Sequence, residues 1–112
     1  MEVGEDEWPR RSAIEKTWRR VIAGELTRET VHDWAARWVE DADADGPRDV
    51  MVMSGLQYLH GLDMTANPAA PNIVSHGGSN PYVLSQIEMQ ARLEHWLTAC
   101  SESEPLPQPR RA

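Results

Sequence analysis

The sequence predicts a mainly α fold: a compact bundle of about four helices with an irregular loop or short β-hairpin before the last one. Three observations carry that prediction. Apolar residues recur at helical spacing in four separate windows, and polar capping residues open them. One proline- and glycine-dense run, residues 63–83, forbids continuous helix. The length, 112 residues, suits a single domain that buries roughly two thirds of its unfolded surface.

Residues 1–11 read as an acidic, flexible N-terminal tail that Trp8 is suited to tack down. Ser12 and Glu15 have capping-box spacing at the start of a helix over about 13–24. Its stripe is Ile14, Trp18, Val21 and Ile22, and Gly24 supplies a left-handed stop. Thr27 caps the second helix, with Leu26 and Val31 in the positions of a hydrophobic staple. Val31, Trp34, Ala35, Trp38, Val39 and Ala42 form the second stripe, and the short connection predicts a helical hairpin or steep corner.

After a break at Asp41–Pro47, Val52, Leu56, Leu59 and Leu62 mark a third helix from Asp49 to Leu62. Val50 and Met53 widen its apolar face, as suits the central helix. Ile73–Ser75 and Tyr82–Leu84 have the composition to pair as a hairpin around Gly77-Gly78. A second capping box, Ser85 to Glu88, opens the last helix, about 86–100, with Met89, Leu93, Trp96, Leu97 and Cys100 on its stripe. The single domain thus spans 12–100, and the proline-bearing stretch 101–112 reads as a disordered tail.

The net charge of −7 disfavours a general nucleic-acid binder, which needs a basic face, and points towards a basic protein partner. The acidic start lacks a signal peptide's character, and no apolar run approaches the ~18 residues of a membrane span. The expectation is a cytoplasmic monomer or weak homodimer, without membrane attachment or cofactor. Cys100, the single cysteine, reads as a small apolar residue late in a helix.

Asp41, Asp43, Asp45 and Gly46 match positions 1, 3, 5 and 6 of an EF-hand calcium loop. Position 12, which needs a bidentate glutamate, is Val52, so the pattern is a weak calcium candidate and reads better as a solvated acidic linker. His32, His60, His76 and His95 form no short-spaced ligand pair; a zinc site could arise only by tertiary contact, and they read as ordinary packing or surface histidines. His76-Gly77-Gly78-Ser79 has no accompanying nucleophile elbow and reads as a turn. Arg10, Arg11, Lys16, Arg19, Arg20 and Arg28 collect basic charge around the first two helices, which supports an alternative reading as a small DNA-associated regulator. Interleaved acidic residues make a solvated mixed-charge face the better account. Trp18, Trp34, Trp38 and Trp96 are expected as core or rim anchors.

The element Gly24-Glu25-Leu26-Thr27-Arg28-Glu29 with Trp34-Ala35, then Leu56, Leu59, Gly61, Leu62 and Asp63, then Pro81-Tyr82-Val83-Leu84 and Trp96-Leu97, resembles small bacterial helical proteins over roughly residues 14–97. Thr30 stands where that pattern has a second glutamate, and the glycine–proline loop is longer. Some of those proteins are proposed as immunity-like partners of toxins, so the resemblance implies a protein-interaction module and no enzyme. Arg28, Glu29, His32, Asp33, His76 and Tyr82 are the protein-binding candidates. An enzyme would instead require His60, Asp63, His76 and Tyr82 to converge in one cleft.

Overall fold

The computed structural model describes residues 8–40, 49–70 and 72–104. Among them are four helices: α1 (Arg11–Ile22), α2 (Arg28–Val39), α3 (Val50–His60) and α4 (Gln86–Ser101). A 3-10 turn, Gly61–Asp63, leads from α3 into β1 (Met64–Ala66), which pairs antiparallel with β2 (Val74–His76). The mainly α bundle with a small hairpin before the last helix is therefore the observed architecture.

The helix joints follow their local chemistry. Gly24 adopts φ of 80°, and the Thr27 side chain accepts from the Thr30 amide. At α4 the reciprocal capping box forms between Ser85 and Glu88. The start of α1 departs from expectation. Arg10 is the N-cap without a side-chain cap, and Ser12 lies inside the first turn. Tertiary anchoring outweighs the local signal there: Pro9 is buried, and Arg11 grips Asp49 with paired bonds of 2.7 and 2.9 Å. The same guanidinium donates to the Cys100 and Ser103 carbonyls, both at 2.8 Å, and so joins the beginnings of α1 and α3 to the end of α4.

The predicted stripes meet in one core: Ile14, Trp18 and Val21; Val31, Trp34, Ala35 and Trp38; Val52, Leu56 and Leu59; Met89, Leu93 and Trp96. Helix α3 touches all three other helices, as its apolar sequence requires. Val50 does not join the core, because as the first residue after the Asp49 cap it points outward and is 72% exposed. All five tryptophans are buried. Trp18 stacks on Tyr58 at 4.6 Å and donates to the Met89 carbonyl, while Trp96 donates to the Met51 carbonyl. Gly55 permits this close packing, since a Cβ there would stand 2.8 Å from Ile14 and 3.1 Å from the Trp96 ring.

The hairpin pairing also differs from the sequence expectation. Ile73–Ser75 and Tyr82–Leu84 do not pair with each other; both runs flank β1 on opposite edges. Thr65 faces Ser75 on one side and Tyr82 on the other, with the Ala66 amide donating to Pro81 and the Val83 amide to Met64. Thr65 is buried while β2 is exposed along its length, so β1 takes the middle. Gly77 and Gly78, with φ of 72° and 97°, turn the chain back at the end of β2.

Candidate metal centre

This topology brings together three histidines that are far apart in the sequence. The buried stripe of α2 holds His32 at its edge, α3 ends in His60 as it turns through Gly61, and β2 ends in His76. Their ring centroids are 4.4 Å (His32–His60), 4.6 Å (His32–His76) and 5.0 Å (His60–His76) apart. One nitrogen from each ring lies within 4.8 Å of the others. Three of the four histidines, expected as ordinary packing or surface residues, thus meet by tertiary contact; His95 lies exposed on α4, outside the cluster.

Hydrogen bonding orients two of the three rings, those of His32 and His76. His32 Nδ1 is 2.7 Å from the His60 carbonyl and 3.3 Å from Asp63 Oδ1. His76 Nδ1 is 2.5 Å from the same carboxylate oxygen. A carbonyl and a carboxylate accept only, so both Nδ1 atoms donate, and Nε2 is the atom that the neutral form of each ring offers as a ligand. Metal-ligating histidines are oriented in this way, by an N–H donated to a carboxylate or carbonyl. Asp63 is itself 4% exposed and fixed by the 3-10 turn, with its carbonyl accepting from the Gly77 amide. A carboxylate stands beside the three rings: Glu40 Oε2, at the C-cap of α2, lies 2.5 Å from His60 Nε2 and 3.7 Å from His32 Nε2, outside the set of atoms that lie within 4.8 Å of one another. The hydrogen bond from His60, chiefly, holds the Glu40 carboxyl below the ordinary carboxylate range.

Three imidazoles, with a carboxylate beside them, are chemistry suited to divalent first-row ions such as zinc. Around a tetrahedral ion with bonds of ~2.0–2.1 Å the donors stand about 3.3 Å apart. One nitrogen of each imidazole already lies within 4.8 Å of the other two, a little wider than that separation. For His60 to offer Nε2 to such an ion, its ring would have to carry the proton on Nδ1 and give up the hydrogen bond to Glu40.

The protein-binding candidates assemble beside this cluster, with one exception. Tyr82 donates to Glu29 at 2.7 Å, and the Arg28 guanidinium sits 4.1 Å over the Tyr82 ring while donating to the Leu84 carbonyl. The Glu29 bond is the main cause of the raised Tyr82 phenol. His32 and His76 belong to the cluster itself, whereas Asp33 is exposed and joins none of these contacts. Of the enzyme set, His60, Asp63 and His76 converge, but the Tyr82 hydroxyl turns to Glu29. Asp41, Asp43 and Asp45 lie outside the described residues. Several basic side chains around α1 have internal partners: Arg11 with Asp49, Arg19 with Glu15 and Arg20 with Glu25.

The sequence offers no signal for Glu40; His60 stands there among four histidines that only tertiary contact could bring to a zinc site, and with Asp63 in the set an enzyme would require. The available signal was His60 and Asp63 interrupting the apolar run Leu56, Leu59 and Leu62 where the chain otherwise buries itself. Among the described residues, no helix is long and apolar enough to cross a membrane. No family model matches the chain, and no curated protein or solved structure shows significant similarity to it.

Proposed function

We propose that this chain is a metal-binding protein in which His32, His60 and His76 hold one divalent first-row transition ion, with zinc the reference case. The observation that carries this reading is the convergence of three imidazoles from three separate elements, two of them oriented by accepting groups on the far nitrogen. The ion fastens the hairpin to the end of α3 and the face of α2, and supplies a Lewis acid at a partly open surface. Calorimetric titration of metal-stripped full chain with zinc is expected to give one site. His76→Ala removes the most exposed ligand with least risk to the core and should weaken zinc binding by roughly 100-fold, judged against a four-ligand site. His95→Ala should leave binding unchanged. Equal affinity in wild type and His76→Ala overturns the reading.

A second reading, a protein-interaction module of the immunity-like kind that binds a basic partner, is favoured by a separate observation. Five of the six large hydrophobic side chains exposed among the described residues, Ile73, Val74, Tyr82, Val83 and Ile87, belong to the hairpin region and the start of α4. The charge of −7 suits a basic partner. If a toxin encoded beside this chain is its partner, Val74→Asp with Val83→Asp should weaken their complex by tenfold or more, on the order of a lost interface anchor. Unchanged affinity by surface plasmon resonance sinks that reading.

A further inference from the structure

We infer that the fourth coordination position of this centre is exchangeable: Glu40 fills it at rest, and a small anion donating through one oxygen or nitrogen takes its place. The inference rests on the metal reading above and concerns how the site is used.

The four donors are held unequally. His32 and His76 are each fixed from behind, by the His60 carbonyl and by Asp63, and His32 and His60 are 14% and 18% exposed. Glu40 is 56% exposed and sits at the C-cap of α2. Among the described residues its carboxylate meets only the imidazoles of the cluster. Once an ion occupies His60 Nε2, the hydrogen bond that positions Glu40 is gone, and nothing among those contacts replaces it. The imidazoles therefore form a prepared three-ligand platform, while the carboxylate is a tethered side chain that must be ordered each time it binds.

The exposed members of the set also mark where an external donor enters. Glu40 at 56% and His76 at 45% are the two most exposed, so the position that Glu40 vacates opens to solvent. Three protein ligands with one replaceable position is the arrangement that lets zinc proteins bind an external molecule, whereas structural sites keep four fixed ligands. A carboxylate leaving the ion also leaves a positive site, which selects anions over neutral donors.

The test uses the full chain loaded with one equivalent of cobalt(II), whose visible spectrum reports coordination, and azide as the anion. Azide is expected to change the spectrum of the wild-type protein saturably. Glu40→Ala is expected to retain cobalt with weakened affinity and to bind azide about tenfold more tightly or better, because a tethered competitor at millimolar effective concentration has been removed. A wild-type spectrum indifferent to saturating azide overturns the inference and leaves a closed structural site. Complete loss of cobalt by Glu40→Ala also overturns it, since Glu40 is then an obligatory ligand. Failure of the wild-type chain to take up cobalt or zinc removes the metal reading itself, a result separate from the first two.

Discussion

Zinc in hundredfold excess over its dissociation constant is expected to raise the melting temperature of the full chain by roughly 10–20 °C. The figure follows from linkage: an ion that binds only the folded state adds about 2.7 kcal/mol at that concentration, and each kcal/mol moves a domain of this size by about 4–8 °C. The unfolded chain has no comparable site, because His32, His60 and His76 come together only through the packing of α2, α3 and β2. His60→Ala should melt at the same temperature with and without zinc. The comparison is made within one variant, so any intrinsic cost of removing a partly buried imidazole cancels. Superimposable wild-type melts in the two conditions would exclude the centre.

An ion bound to the three histidines would act where the fold is otherwise thinnest. The hairpin has three residues in each strand, β2 is exposed along its length, and a pair of short strands is marginal in water. Asp63 and Thr65 already tie it down, through the Asp63–His76 bond and the 2.6 Å bond from the Thr65 hydroxyl to the Gly77 carbonyl. An ion on His76 adds a strong link from the far end of β2 to two helices. Protection of the Ser75 and His76 amides from hydrogen exchange is where that link should register first.

The sequence made the helical frame legible because its signals are local. Gly24, Leu26, Thr27 and Val31 specify the α1–α2 joint within a few residues, and Ser85 with Glu88 does the same for α4. Where local and tertiary signals compete, the second prevails: Ser12 has capping-box spacing with Glu15, but Arg11 sets the helix start by reaching Asp49, Cys100 and Ser103. β1 was hidden for a related reason. Met64-Thr65-Ala66 has no strand pattern, and it pairs because the 3-10 turn delivers it between two flanking runs. The histidine cluster was hidden most completely. His32, His60 and His76 share no spacing that a helix or strand repeat would produce, and the fold alone makes them neighbours.

Asp49→Ala is expected to destabilise the domain by about 3 kcal/mol at neutral pH, the lower end of the range for breaking a buried ion pair. The lower end applies because Arg11, at 15% exposed, keeps its bonds to the Cys100 and Ser103 carbonyls when its carboxylate partner is gone. The substitution also removes the acceptor that caps α3 at the Met51 amide. Burial alone would raise the Asp49 carboxyl, but the hydrogen bonds from Arg11 and the Met51 amide outweigh it and hold the group below its ordinary value. A carboxylate lowered on folding stabilises the native state above its unfolded value, ~3.9, and that contribution fades as pH falls through the lower, folded value. The gap between wild type and Asp49→Ala, measured by urea unfolding, should therefore be full at pH 7 and shrink below about pH 4. A gap of the same size at pH 7 and pH 2.5 would mean that lost packing, not the Arg11–Asp49 charge pair, accounts for the destabilisation.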